Sequence, residues 1–405
     1  MDRQVIVINY GELNLKGKNK PDFIRTLQKN IKRALIDFVT NIEIKGTHDH
    51  VYLYLVNIDE GKLNAILEIL KDVSGIFSFG IGIEVKTDPD TIIQKAFTMA
   101  KDAGKTAKTF KVISKRIDKS FYPISEQLNR DVAKVILQKT ELKVDVHSPD
   151  VPLNIKIYPQ NTYIYWRTEY GAGGLPIGMG KKALMLISGG IDSPVASYLL
   201  MRRGVSLDFI HFASPPYTSN GVIDKITDLL RILNRYQERI RVFVVPFTKI
   251  QETIYGKTDE SLCITILRRM MYRVSHKVAE KYGHLALANG ESIGQVASQT
   301  LASMNVINAV TCLPIIRPLA TYDKHDIMTI ARRLGTYEIS IRPFTDCCTI
   351  FAPINPKTSP NIIDVVKQET KADYTSLIEE AVENIEILRI HDDEPNSSEL
   401  EALLK

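Results

Sequence analysis

The sequence predicts an α+β N-terminal half followed, from Ala183 onward, by an α/β domain built on a parallel sheet. Three observations carry this. Residues 4–70 read β-α-β-β-α, the order of a ferredoxin-like unit. Beyond Ala183, short apolar runs alternate with amphipathic helices. Between the halves lies Gly171-Ala172-Gly173-Gly174-Leu175-Pro176-Ile177-Gly178-Met179-Gly180, the clearest linker composition in the chain. A chain of 405 residues has room for two or three domains and a sizeable core.

In order, the first segment predicts a strand over Gln4–Asn9, a Gly- and Lys-rich loop to Lys20, and a helix over Pro21–Val39. That helix carries Phe23, Ile24, Leu27, Ile31, Leu35 and Phe38 at spacings of three and four. Strands over 42–45 and 51–55 and a helix over Asn57–Leu70 complete the unit. The loop 11–20, taken alone, reads as a plain solvated turn. A second unit predicts a strand at Ile76–Val85, a helix at Pro89–Ala100 and an alternating strand at Thr109–Arg116. A helix at Ser125–Lys139 and a hairpin of Val151–Ile157 with Thr162–Arg167 follow. The α/β part predicts strands at Ala183–Ile187, Leu207–Phe212, Ile240–Pro246 and Leu285–Ala288. Its helices fall at Ile223–Tyr236, Leu262–Lys281, Val296–Met304 and Lys324–Leu334. Runs such as Arg241-Val242-Phe243-Val244-Val245 suit strands buried on both faces.

Apolar residues make up 44% and charged residues 24%, as in ordinary soluble proteins, and no stretch approaches the ~18 apolar residues of a membrane span. The N-terminus lacks signal-peptide architecture, and four cysteines in this length do not form a disulfide framework, so the expected compartment is a reducing cytoplasm. The net charge of +5 lies wholly in residues 1–180, with 26 Lys and Arg against 21 Asp and Glu. Lys101, Lys105, Lys108, Lys111, Lys115, Arg116 and Lys119 form a basic stripe with Phe110, Phe121 and Tyr122 interleaved. The stripe suits phosphate-backbone contacts; taken alone it reads equally as a charged edge strand that blocks aggregation.

The run Leu184-Met185-Leu186-Ile187-Ser188-Gly189-Gly190-Ile191-Asp192-Ser193 carries most of the chemistry. An apolar strand stops at a Gly-Gly loop, and Pro194 opens a helix-periodic stretch. Small residues there let backbone N–H groups face a phosphate, and the helix N-terminus adds partial positive charge. Ser193 fits the N-cap and Pro194 the first helical position. The Walker A lysine is missing; Gly180-Lys181-Lys182 does not supply it, since Leu175 stands where the first glycine is required and a strand follows. The loop resembles the PP-loop of ATP pyrophosphatases, which cleave ATP between the α and β phosphates.

The Gly11-Glu12-Leu13…Lys16-Gly17-Lys18-Asn19 loop, the basic Phe110–Arg116 strand and the Ser188–Ser193 loop occur in one order. With Gly290-Glu291-Ser292, Gln295–Thr300, Arg317-Pro318-Leu319, Asp323-Lys324 and Asp346-Cys347-Cys348, that order resembles the ThiI family of tRNA 4-thiouridine synthetases. The resemblance implies a ferredoxin-like domain (1–75), a THUMP RNA-binding domain (76–168), a linker (169–180), a PP-loop ATP pyrophosphatase domain (181–390) and an acidic tail (391–405). It implies an ATP-dependent, AMP-forming tRNA sulfurtransferase: O4 of uridine 8 is adenylated, pyrophosphate is released, and persulfide sulfur replaces the oxygen to give 4-thiouridine. Mg2+ is expected on the phosphates.

Carried over by motif position, Ser188, Gly189, Gly190 and Ser193 hold the pyrophosphate end of ATP, and Asp192 acts through a metal or by fixing the loop, unless it only caps the helix. Leu186, Ile187, His211 and Phe212, at strand ends, frame the adenosine; such sheets bind ligands at those ends, though apolar strand residues there also serve the core. Arg268, Gly290 and Gln299 match ATP contacts, and Lys324 a lysine needed for adenylation; without the resemblance these four read as structural. Lys111, Lys115, Arg116 and Lys119 are the tRNA-binding candidates. Cys263 and Cys312 read as small core residues. Cys347 and Cys348 lie in a predicted loop where a thiolate could handle sulfur; Cys348 matches the family's catalytic cysteine better, and Cys347 is its local alternative. No Cys-x-x-Cys occurs, which argues against zinc or an iron–sulfur cluster. The chain ends too soon after Cys348 for the rhodanese domain some members append, so a separate cysteine desulfurase is the expected persulfide donor. The resemblance further implies a homodimer and no membrane partner. The rival reading is an RNA-binding protein with a PP-loop fold and no thiolation activity.

Overall fold

The computed structural model describes residues 2–237, 239–344, 353 and 355–390, with side chains described at all of these except Val39, Arg167, Thr168 and Asn220. The chain divides into two compact units, the second beginning at Ile177.

The first unit runs β1 (Arg3–Tyr10), α1 (Lys20–Ala34), β2 (Ile42–Gly46), β3 (His50–Leu55), α2 (Glu60–Asp72) and β4 (Ile76–Lys86). It continues with α3 (Pro89–Ala103), β5 (Thr109–Arg116), α4 (Ser125–Lys139), β6 (Lys143–Val144), β7 (Val151–Ile157) and β8 (Asn161–Tyr170). All eight strands form one sheet in the order β2-β3-β1-β4-β8-β7-β5-β6. Strand β4 pairs antiparallel with β1 on one side and with β8 on the other, so the two sequence-defined segments share a continuous hydrogen-bonded ladder. The caps are local: Asp59 accepts from the Lys62 amide ahead of α2, and Asp88 from the Thr91 amide ahead of α3. The predicted helix to Val39 stops at Ala34 and gives way to a 3-10 segment, Ile36–Asn41, in a stretch rich in β-branched residues and weak helix formers.

One face of the β3-β1-β4-β8 region is closed by tyrosines. Tyr52 stacks on Tyr163 with ring centroids 4.1 Å apart, and the Tyr54 and Tyr163 hydroxyls lie 2.8 Å apart. Two glycines on β4 permit this layer. A Cβ on Gly80 would stand 2.7 Å from the Tyr165 ring, and one on Gly82 2.2 Å from the Ile164 carbonyl oxygen. The loop 11–20 is not the plain solvated turn its composition suggests: it holds a 3-10 segment, Glu12–Leu15, anchored by fully buried Leu13, and Lys20 is buried with its ammonium on Asn14.

The second unit alternates β9 (Lys182–Leu186), α5 (Asp192–Met201), β10 (Ser206–Ala213), α6 (Asn220–Asn234), β11 (Ile240–Pro246), α7 (Thr248–Lys257), α8 (Cys263–Tyr282) and β12 (Leu287–Ala288). Then come α9 (Leu301–Asn308), β13 (Ile315–Ile316), α10 (Lys324–Leu334), α11 (Tyr337–Ser340), α12 (Ile362–Glu369), α13 (Tyr374–Glu383) and β14 (Glu386–Ile390). The sheet order is β13-β12-β9-β10-β11-β14, parallel except for β14 at the edge. Residues of β9, β10 and β11 alternate between two cores. Met185, Phe209 and Val242 face α5, α6 and α10, while Leu186, Ile210 and Phe243 face α8 and α13. Helices cover both faces, as an all-apolar parallel strand requires.

Two expectations fail here. The predicted helix Val296–Met304 splits into a 3-10 turn, Ala297–Gln299, and α9, because Thr300 is extended and its side chain caps α9 by accepting from the Ser303 amide. Cys312 is exposed, not a core residue, since the strand it precedes is only Ile315–Ile316 and half-buried; Cys263 is buried as expected.

At the amino ends of the parallel strands, buried Asp208 meets His284 Nε2 at 2.8 Å and the Arg241 guanidinium. Burial alone would raise this carboxyl. The hydrogen bonds from His284 and Arg241 and the charges of Arg241 and Lys182 outweigh burial and hold the pKa at about 2. A carboxyl depressed in the folded state stabilises above its unfolded value near ~3.9, and that contribution is lost as the pH falls toward about 2. Asp208→Asn is therefore expected to cost about 2–4 kcal/mol in denaturant unfolding at pH 7. The difference between the two proteins should shrink between about pH 4 and pH 2.

Candidate active site

Strand order in the second unit reverses at β9: the chain proceeds to β10 and β11 on one side, then returns to β12 and β13 on the other. The crevice beyond the carboxyl ends of β9 and β12 is thus the switch point where such sheets bind ligands. Beyond β9, Ile187-Ser188-Gly189-Gly190-Ile191 leads into α5. The Ser193 hydroxyl accepts from the Ser188 amide and donates to the Ser188 carbonyl, both at 3.1 Å, and the Gly190 amide donates to Ser188 Oγ at 3.3 Å. These bonds close the loop on itself.

Helix α5 starts at Asp192, with Ile191 at the N-cap and no side-chain cap. Ser193 and Pro194 thus lie inside the first turn, deeper than expected, because Ser193 spends its hydroxyl on Ser188. Pro194 remains harmless there, since N–H groups of the first turn have no helical partner. Asp192 does not cap. Its carboxylate takes the Lys324 ammonium on Oδ1 and the Gln295 side-chain amide on Oδ2 at 2.9 Å. Lys324 is delivered by the start of α10, which Asp323 caps by accepting from the Asp326 amide.

Beyond β12, a Cβ on Gly290 would stand 2.8 Å from both Asp192 C and Ser193 N. Only glycine lets this turn lie directly on the first turn of α5. Next to it, buried Glu291 binds the Arg268 guanidinium, accepts from Arg317 Nε at 2.7 Å and from Asn289 Nδ2 at 2.9 Å. Burial would raise the Glu291 carboxyl, but the two guanidinium charges prevail and hold it below the usual range.

One cleft gathers Leu186, Ile187, Ser188, Asp192, Ser193, His211, Phe212, Arg268, Gly290 and Gln299, all singled out from sequence, together with Met271, Asn289 and Glu291, which were not. His211 is buried, with Nδ1 3.3 Å from the Ile187 carbonyl oxygen. Gly189 and Gly190 belong to the loop without lining the cleft; a Cβ on Gly189 would meet the Lys225 side chain at 3.1 Å. Cys347 and Cys348 lie outside the described residues.

In the first unit, Lys111 and Lys115 share one face of β5 with Ile113, which is 40% exposed. Strand β6 covers only Thr109 and Phe110, and further along that edge the Ser114 amide donates to Asn129 Oδ1 on α4 at 3.0 Å. Lys119 is exposed, whereas the Arg116 guanidinium turns to the Phe121 carbonyl and Lys111 donates to the Val146 carbonyl at 2.8 Å. Of the interleaved aromatics only Tyr122 is exposed; Phe110 is fully buried and Phe121 packs on the core.

A crystal structure of a 4-thiouridine synthetase in complex with RNA and bound ATP superposes with a TM-score of 0.86, at 36% identity, covering 96% of this chain and 100% of the other. The family model for the thiamine biosynthesis protein ThiI matches residues 178–374. The chain belongs to the ThiI family. The ThiI ferredoxin-like domain matches residues 5–80 and the THUMP domain 86–167. PH1313 from Pyrococcus horikoshii Ot3 shares the fold, with a TM-score of 0.60 and 22% identity over 82% of this chain and 99% of that one.

In this ThiI-family chain, a sequence signal for the missed residues existed in part. Arg268, Met271 and Tyr272 sit at spacings of three and four on α8 and so share a face, and Glu291 stands inside the quoted Gly290-Glu291-Ser292 motif. That Glu291 binds Arg268 and Arg317 was not readable, since the three come from separate segments. Gly290→Ala is expected to destabilise the protein by about 1–3 kcal/mol, because the added methyl meets backbone that cannot rotate away. Thermal or urea unfolding checks this; an unchanged midpoint would mean that the turn relaxes freely.

Proposed function

We propose that this ThiI-family protein is a tRNA uridine 4-sulfurtransferase that adenylates uridine 8 and replaces its O4 by sulfur. The observation that carries the reading is the single cleft at the switch point, where phosphate loop, Asp192–Lys324 pair and Gly290 turn meet. Similarity along nearly the whole chain to a 4-thiouridine synthetase holding RNA and ATP supports it.

ATP is the nucleotide, with its phosphates at the loop of Ser188, Gly189, Gly190 and Ser193 and at the positive end of α5. The adenosine lies along Leu186, Ile187, His211 and Phe212, with Arg268, Gly290 and Gln299 on the far wall. Uracil O4 attacks the α-phosphorus, the bond to the β-phosphate oxygen breaks, and pyrophosphate leaves; the N3 proton goes to solvent. Lys324 supplies a point charge where phosphate negativity develops. The Asp192–Lys324–Gln295 contacts hold these groups in place before substrate arrives. Among the described residues no group of three His, Cys, Asp or Glu side chains is gathered for a metal. The Asp192 carboxylate, at the first turn of α5 on the cleft, suits Mg2+, which is commonly held by one or two carboxylates plus substrate phosphates: Asp192 would hold it, and the ion would neutralise phosphate charge.

In the second half, the outer sulfur of a persulfide attacks C4, the C4–O bond breaks, and AMP departs. A thiolate then attacks the sulfur–sulfur bond, leaving thiocarbonyl sulfur on the base and a disulfide that an external thiol reduces. Cys348 carries this chemistry, with Cys347 as its neighbour, and a cysteine desulfurase provides the persulfide. The tRNA is held by the first unit through Lys111, Lys115 and Lys119, with Arg116 bracing the loop that carries Lys119, in the basic THUMP region. The reading places a homodimer in the cytoplasm; among the described residues no helix is long and apolar enough to cross a membrane.

Two variants test the halves separately. Asp192→Ala should reduce tRNA-dependent pyrophosphate release by about 100-fold or more while tRNA affinity stays within a few fold. Parallel loss of affinity would make the loop a folding element, and release at the normal rate would refute its role. Cys348→Ser should release pyrophosphate normally but form no 4-thiouridine, read by mass analysis of digested tRNA. Full thiolation by that variant would move the assignment to Cys347.

A further inference from the structure

Helix α8 carries arginines on two faces, and each face meets a buried carboxylate. Arg269 and Arg273, four residues apart, both bind Glu369 on α12, the first through Nε at 2.5 Å and the second at 2.7 Å. Arg268 turns instead to Glu291. Arg268 and Glu291 line the nucleotide cleft, whereas Arg269, Arg273 and Glu369 do not. The same chemistry thus occurs twice on one helix, once in the packed interior and once at the site.

Glu291 is itself held from behind. Its second oxygen accepts from Arg317 Nε at 2.7 Å and from Asn289 Nδ2 at 2.9 Å, and its own amide donates to Asn289 Oδ1 at 3.0 Å. Arg317 in turn donates to Asn308 Oδ1 on α9 at 2.7 Å. The carboxylate that Arg268 grips is therefore fixed to the exit of β12, to the segment after β13 and, through Arg317, to α9. A long side chain loses rotamer freedom when it is fixed. Here that loss is taken in folding, so a guanidinium already stands at the cleft wall before a ligand arrives.

We propose that Glu291 is a positioning residue for the nucleotide: braced by Arg317 and Asn289, it holds the Arg268 guanidinium at the cleft wall in the orientation in which ATP meets it. The proposal deepens the sulfurtransferase reading and rests on it for the identity of the nucleotide. Glu291 acts through Arg268 and contributes to binding by preorganisation. Glu369, with two arginines of its own on the same helix, serves packing alone.

The test titrates the full-length protein with ATP and Mg2+ and follows pyrophosphate release with tRNA. Arg268→Ala should weaken ATP binding about tenfold or more, the loss expected for a hydrogen bond from a charged group. Glu291→Gln removes the charge that holds Arg268. It should raise KM for ATP about tenfold while kcat at saturating ATP stays within about threefold. The double variant should bind ATP no more than about twofold worse than Arg268→Ala, because the two residues act as one unit. Glu369→Gln should lower the unfolding midpoint yet leave KM for ATP within about twofold of the parent. Parent-like ATP affinity in Glu291→Gln, losses that multiply in the double variant, or a fall in kcat alone would each overturn the proposal. Should Glu291→Gln not fold, Arg317→Lys decides: it keeps the charge, gives up the Nε bond and should raise KM for ATP about threefold or more. An unchanged KM there would overturn the proposal too. A parent protein that binds no ATP would defeat the sulfurtransferase reading and this proposal with it. One that binds ATP but releases no pyrophosphate with tRNA would defeat the reading alone, and the binding series would still judge Glu291.

Discussion

The contact on which the active-site half depends is backbone against backbone: the turn at Gly290 lies on the first turn of α5 with no room for a Cβ. It joins the ends of β12 and β9, strands that are neighbours in space but separated by the whole β10–α8 excursion in sequence. Once they are joined, the loop after β9 has a floor, and Asn289 and Glu291 are fixed relative to Asp192. A looser approach would leave the same residues in the same order with no cleft between them.

Charge completes what this contact begins. Glu291 is nearly enclosed, and a carboxylate there is tolerable only because Arg268 and Arg317 reach it from α8 and from the segment after β13. The three side chains therefore lock two elements to the Gly290 turn and leave one guanidinium on the cleft wall. Asp208 plays the matching part at the other end of the strands, holding β10, β11 and the segment between α8 and β12 through Arg241 and His284. Lys324 and Asp192 are more exposed, so their pair is better suited to rearranging around a substrate than to holding the fold.

The first unit solves a different problem. A single sheet spans it, and where helices do not cover the sheet face, a tyrosine layer does, admitted by Gly80 and Gly82. Strand β5 carries Lys111 and Lys115 on one face, while Arg116 is turned to brace the following loop. A strand can thus be basic along its length and still offer only alternate residues to a partner.

Much of this was readable in the chain by itself. The segments Thr109–Arg116, Ser125–Lys139, Val151–Ile157, Ile240–Pro246 and Lys324–Leu334 were legible to the residue, because periodicity and caps are local properties. So was the Ser188–Ile191 loop between β9 and α5, where strand, glycines and helix start adjoin in sequence. What only the tertiary structure decided are the meetings of distant segments. These are Gly290 on Asp192, Glu291 between two arginines, Asp192 with Lys324, and one sheet through both N-terminal segments by way of β4. Even the helix start moved for this reason: Ser193 is a good N-cap by type, but its hydroxyl found Ser188 across the loop. Local pattern specifies which element a residue joins; which other element it touches is set by the packing of the whole, and no window of sequence contains that.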